Sequence, residues 1–148
     1  MKKVKFLMGA AVLSSIFMMT SCSKEQGCTD QNAANYDVLA EENDGSCQYE
    51  GEIVFWYNSA TSAELLSYDV VSLTYYVNGQ VVGSSSADVY WSGAPDCGQN
   101  GSVTVTQNLG NTTNLVYDYS VVDDTGYEIW SGVANFTANT CTSIELTP

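Results

Sequence analysis

From Glu50 onwards apolar and polar residues alternate with a period of two, the mark of strands with one buried face. Ile53-Val54-Phe55-Trp56-Tyr57 is a dense run of β-formers. Val71-x-Leu73-x-Tyr75-x-Val77 alternates cleanly and runs into Asn78-Gly79. That pair tolerates the positive φ angles of a two-residue hairpin turn, and Gln80-Val81-Val82-Gly83 supplies the return strand. Asp88-Val89-Tyr90-Trp91 and Val103-x-Val105 are short candidate strands. Leu115-x-Tyr117-x-Tyr119-x-Val121 alternates again and turns through Asp123-Asp124-Thr125-Gly126 into Tyr127-Glu128-Ile129-Trp130. Val133 to Phe136 continues that strand past a bulge at Gly132, and Thr142 to Leu146 is the last strand. No stretch carries a long helical stripe; Ala60 to Tyr68 suits one turn of helix or a loop. Seven to eight short strands over residues 50–148 predict an all-β fold. The expected form is an antiparallel β-sandwich, Ig-like or transthyretin-like, with a closed barrel as the alternative.

The other end of the chain follows a different pattern. Lys2, Lys3 and Lys5 precede an uncharged apolar run from Phe6 to Met19, broken only by Gly9, Ser14 and Ser15. The run is too short to span a bilayer comfortably and has the length of a secretory leader. Thr20 and Ser21 then precede Cys22. The stretch resembles a bacterial lipoprotein signal peptide, with Met19 at the place where Leu is usual. That resemblance implies removal of 1–21 and acylation of Cys22; an ordinary cleaved leader is the alternative. Two or three acyl chains on one residue hold a protein on a membrane far better than one. Ser23-Lys24-Glu25-Gln26 resembles the surface-export signal of Bacteroidota lipoproteins, with Gln26 where a second acid is usual; a plain polar spacer is the alternative. The implied location is the outer membrane, lipid-anchored, surface-exposed or otherwise facing the periplasm.

Charge narrows the functions. Beyond the leader Lys24 alone stands against 17 acidic side chains, and there is no His or Arg. Such a surface repels phosphate backbones, which excludes nucleic acid as a partner. It also repels anionic head groups, so contact with the membrane falls to the lipid anchor. No Ser-His or Cys-His dyad can form, and no Arg can clamp an oxyanion. Carboxylate pairs can hydrolyse glycosides, but Asp123-Asp124 occupies a turn and Glu128 a strand face, so no catalysis is expected.

With Cys22 assigned to lipid, Cys28, Cys47, Cys97 and Cys141 remain. An even number in an exported chain predicts two disulfides, and three pairings exist. Proximity and segment boundaries favour Cys28–Cys47 and Cys97–Cys141. The segment GCTDQNAANYDVLAEENDGSCQY, from Gly27 to Tyr49, resembles a short cystine module of exported Bacteroidota proteins. The match rests on Cys28, Thr29, Asp30, Ala33, Asn35, Tyr36, Ala40, Asp44, Gly45, Ser46 and Cys47. Gln31 and the added residue in Glu41-Glu42-Asn43 depart from it. The resemblance implies location more than activity.

The module's candidate apolar anchors are Ala33, Ala34, Tyr36, Val38, Leu39 and Ala40. Asp30, Asn32, Asn35, Asp37 and Asp44 are oxygen donors suited to calcium as a candidate cofactor, although the order of a full calcium loop is missing. The alternative is a solvated, disulfide-stapled spacer whose Asn and Asp residues cap turns. The expected layout is a leader (1–21), a tether (22–27), an acidic cystine module (28–49) and a β-domain (50–148). Pieces of the last segment, FWYNS, YYVNGQVVGS, SGAPDCG and WSG, resemble the C-terminal domain of Bacteroidota lipoproteins, which implies a sandwich without supplying an activity.

Aromatic residues are numerous: 10 Tyr, 3 Trp and 4 Phe. On strands they are ordinarily core or cross-strand pairs. Trp56 falls out of phase with Phe55 and Tyr57, and Trp130 out of phase with Tyr127-x-Ile129. Together with Trp91 they are candidate ligand-binding rings for stacking on sugar. The leading functional expectation is a lipid-anchored envelope protein with a structural or interaction role toward other envelope proteins. A surface glycan-binding module using Trp and Tyr is the alternative.

Overall fold

The computed structural model describes residues 24–148. The leader and the lipidation candidate Cys22 lie outside the described residues. In chain order come β1 (Gln26–Gly27), β2 (Glu42–Asn43), β3 (Tyr49–Trp56), α1 (Ser59–Ser67), β4 (Ser72–Val77), β5 (Gln80–Ser86), β6 (Val103–Gly110), β7 (Asn114–Asp123), β8 (Glu128–Thr137) and β9 (Cys141–Glu145).

Seven strands make two sheets, ordered β6-β3-β9 and β5-β4-β7-β8. The period-two pattern is the reason they pack. Ile53 and Phe55 of β3, Leu73, Tyr75 and Val77 of β4, Val103 and Val105 of β6, and Ala134 and Phe136 of β8 turn inward and are buried. Burying each large apolar side chain contributes about 1.5–3 kcal/mol. The ring of Phe55 lies 5.5 Å from Tyr75 and 5.1 Å from Tyr119, tilted against both. No strand is common to the two sheets, so the fold is sandwich-like and not a closed barrel. The Asn78-Gly79 turn forms as expected, with φ of 51° and 71°, and pairs Val77 with Gln80.

Four features differ from the expectation. First, β9 runs parallel to β3, with Cys141 opposite Glu52 and Glu145 opposite Trp56. The end of β8 lies against the start of β3, where a Cβ on Gly51 would stand 2.7 Å from the Thr137 carbonyl. The short crossing 138–140 therefore enters the small sheet at that end, and Asn139 N–H donates to Glu50 O at 2.8 Å. A strand starting there can only run alongside β3 in the same direction.

Second, Asp88 to Trp91 is not a strand. The chain leaves β5 in a turn and begins a long loop, 87–102, over the outer face of the small sheet. Cys97 bonds Cys141 on β9, and Gly98 N–H donates to Thr104 Oγ1 on β6 at 2.9 Å. Between those strands lies β3, whose outward-facing Val54 is fully buried. The stapled loop, with Pro95 buried, covers it.

Third, 59–67 is a helix of 9 residues, longer than the single turn expected as one of two options there. Fourth, the bulge of β8 falls at Ile129 rather than Gly132, because Val121 pairs with Trp130 and Val122 with Glu128. Gly132 instead sits opposite Tyr119, whose ring occupies the space of the missing side chain.

The cystine module is closed by Cys28–Cys47, with Cα atoms 4.8 Å apart. Of its expected apolar anchors only Ala33 is buried and Ala40 half-buried; Ala34, Tyr36, Val38 and Leu39 are exposed. The two cysteines and Tyr49 anchor it instead, joining the same core as the sandwich. Tyr49 Oη donates to Asp30 Oδ2 at 2.7 Å, which ties the module to the first long strand.

Candidate functional site

The helix decides where the site lies. Asn58 Oδ1 caps its N-terminus, accepting from Ala60 N–H at 2.9 Å and Thr61 N–H at 3.1 Å. Such a cap contributes about 1 kcal/mol. Ser62 Oγ donates to Ala87 O and Thr61 Oγ1 to Leu146 O, which fastens the helix between the 87–102 loop and the C-terminal segment. At the other end Tyr68 is the C-cap and Asp69 takes a left-handed φ of 62°. Asp69 N–H donates to Leu66 O and Val70 N–H to Leu65 O, the paired bonds of a Schellman motif. The apolar pair that accompanies this motif, Leu65 and Val70, is buried. The same geometry leaves the Tyr68 side chain 75 % exposed.

The opposing wall is the β7–β8 hairpin. Asp123 Oδ1 accepts from Thr125 N–H, Thr125 Oγ1 and Tyr127 N–H, at 2.8, 2.7 and 2.9 Å. These bonds, the Thr125 hydroxyl foremost, hold its carboxyl below the usual range. Asp123 is therefore an ionised acceptor at neutral pH and no proton donor. Asp124 accepts from Val71 N–H at 2.9 Å and so ties the hairpin to the segment leaving the helix. Its carboxyl is likewise lowered, chiefly by that bond. Tyr127, placed by the Asp123 loop, is 71 % exposed.

Between these walls lies a groove of about 690 Å³. Glu64, Leu65 and Tyr68 line it from the helix, Asp123, Tyr127, Ile129 and Trp130 from the hairpin, and Thr147 and Pro148 from the C-terminal segment. Three aromatic residues and two carboxylates thus meet over an apolar floor. That combination offers ring faces for stacking and carboxylate acceptors for hydroxyl or ammonium donors, of which Asp123 is fixed by its loop.

The three expected tryptophans are not brought together. Trp130 reaches the groove, but on the inner side of β8, because the bulge at Ile129 reverses the phase. It stacks on Tyr57 at 6.4 Å, and its Nε1–H donates to Thr147 O at 2.7 Å. Trp56 and Trp91 border a separate, much smaller cleft of about 10 Å³ by the 87–102 loop. Both are half-buried, and the Trp56 indole N–H has no partner among the described residues. The residues missed by sequence reasoning are Tyr68, Glu64 and Tyr127. The signal for Tyr68 was an Asn cap followed by a short helix-forming run.

The oxygen donors expected in the cystine module serve its turns. Asp30 Oδ1 accepts from Asn32 N–H, Asp37 Oδ1 from Leu39 N–H and Asp44 Oδ1 from Ser46 N–H, each at 2.9 Å. Asn35 bridges two segments of the module, donating to Ser46 O and accepting from Gln48 N–H. Asn32 itself lines a cleft of about 480 Å³ with Glu50 and Glu52, where the module meets the sandwich. Among the described residues no three Cys, Asp or Glu side chains gather as a metal group. No family model, curated protein or solved structure matches this chain.

Proposed function

We propose that the chain is a non-catalytic binding module of a bacterial outer envelope, lipid-anchored at Cys22, that takes carbohydrate in the helix–hairpin groove. The observation that carries the reading is the pair of open rings, Tyr68 and Tyr127, facing one groove with the Trp130 indole at its inner end. Tyr68 on its Schellman turn and Tyr127 on its Asp-bonded hairpin bring exposed aromatic surface together in one groove, which is the kind of patch that marks a ligand site. Sugar rings match them: an apolar face for stacking and hydroxyls for Glu64 and Asp123. The test is a glycan array probed with the full-length chain in detergent. Binding that disappears in Tyr68→Ala and Tyr127→Ala supports the reading; a blank array overturns it. Anchoring is tested separately by growing cells with an alkyne fatty acid. Wild-type chain takes up the label and Cys22→Ala does not; unlabelled wild type released to the medium overturns the anchor.

A second reading, docking to other envelope proteins, is favoured by the cystine module. Val38 and Leu39 are 76 % and 73 % exposed, side by side with the half-open Tyr36. Crosslinking from position 39 in intact cells tests it, with a discrete partner band as the expected result.

A further inference from the structure

We infer that the groove selects saccharides bearing free ammonium groups, an amino-sugar polymer, over neutral or anionic ones. The inference rests on the carbohydrate reading above and adds the charge of the ligand. Glu64 stands on the helix wall and Asp123 on the hairpin wall, so a bound chain passes between two carboxylates. Asp123 is kept ionised by Thr125 and Tyr127, and its position is fixed by the same bonds. No cationic side chain lines the groove, and Lys24, the one cation among the described residues, lies in the tether before the cystine module.

The rest of the molecule acts in the same direction. Seventeen acidic side chains make a field that draws cations and repels uronic acids or sulfated sugars. The rings contribute too, since an ammonium beside a tyrosine or tryptophan face is attracted by its negative quadrupole. A neutral glycan gains stacking and hydroxyl hydrogen bonds from this groove but no ion pair. An ammonium on the same backbone adds the ion pair. Exposed ion pairs are individually weak, each worth about two- to fivefold in affinity. Two of them predict a preference of about tenfold, sensitive to salt.

The experiment is calorimetric titration of the full-length chain in detergent with a glucosamine hexasaccharide and its fully N-acetylated counterpart. Mildly acidic buffer keeps the amines charged. The expected result is about tenfold tighter binding of the free-amine oligomer, with the preference lost in about 1 M salt. Glu64→Gln, a change at an exposed helix position, should cost the free-amine oligomer about two- to fivefold more than it costs the acetylated one. Tyr68→Ala with Tyr127→Ala should weaken both. Equal affinity for the two oligomers overturns the ammonium inference and leaves the carbohydrate reading standing. Neutral glycans bound on the array, with neither hexasaccharide bound, likewise overturns the ammonium inference alone. Undiminished binding of the free-amine oligomer by the double tyrosine variant assigns it to diffuse surface charge and also overturns the inference. No binding of either oligomer and a blank array overturns both.

Discussion

At the scale of single residues, one glycine shows how closely the sheets approach. A Cβ on Gly51 would stand 2.7 Å from the Thr137 carbonyl oxygen, which is backbone and cannot turn aside. Gly93, by contrast, has open space around it and no left-handed φ. Gly51→Ala should therefore destabilise the chain by about 3 kcal/mol, the upper range for overpacking, while Gly93→Ala stays near neutral. Thermal melts of the two variants check this; equal melting temperatures would show that β3 and β8 are not in such close contact. Gly132→Ala falls between them, because its obstacle is the Tyr119 ring, 2.8 Å from the added carbon. That ring packs on Phe55 but belongs to a movable side chain, and a loss of about 1–2 kcal/mol is expected.

At the scale of elements, α1 is short and its cap matters. Asn58→Ala removes the acceptor for two helix N–H groups and should cost about 1 kcal/mol. It should also lower ligand affinity, since the helix carries Glu64 and Tyr68; circular dichroism melts and titration calorimetry read the two effects apart. This helix was the element least legible in the sequence. Its buried face consists of Thr61, Ser62 and Leu65, so two of three inward positions are polar and no apolar stripe forms. What satisfies those hydroxyls, Leu146 O and Ala87 O, comes from residues distant in the chain. The strands were legible wherever alternation met turn chemistry, as in Val71 to Gly83 and in the turn 123–126. The parallel course of β9 was not, because alternation fixes which face is buried but not the direction of the neighbour. The phase of Trp130 was hidden for a similar reason: one bulged residue at Ile129 reverses every side chain beyond it, and nothing in the composition marks it. Of the candidate site, Trp130 was thus legible in the sequence as a ligand-binding ring. Asp123 was legible only as a turn residue, and Glu64 and Tyr68 needed the helix.

At the scale of the whole molecule, acid should destabilise the fold through its turns. Asp30, Asp44, Asp123 and Asp124 all have folded carboxyls held below the ordinary value by hydrogen bonds. A lowered folded pKa means stability that is present above the unfolded value and lost as pH falls through the folded one. Melting temperature should thus fall below about pH 4. Salt at neutral pH should raise it, by screening repulsion among the 17 acids. A pH–salt grid of melts checks both signs. The largest single effect belongs to the Cys97–Cys141 bridge, which spans 44 residues. Closing that span removes about 4 kcal/mol of chain entropy from the unfolded state in the loop-closure model. The bridge also holds the loop that covers Val54, so its loss loosens the outer face of the small sheet as well. Net stability of a domain this size is only about 5–15 kcal/mol, which makes the bridge a large share. Cys97→Ser with Cys141→Ser should keep the β-type circular dichroism spectrum and melt about 10–20 °C lower. Hydrogen exchange should rise first at Val54 and its neighbours, ahead of Leu73 and Tyr75 in the inter-sheet core. An unchanged melt, with exchange at Val54 as slow as in the wild type, would mean that the loop stays down by its own hydrogen bonds, Gly98 N–H to Thr104 Oγ1 among them. The bridge would then carry neither the cover nor the stability assigned to it.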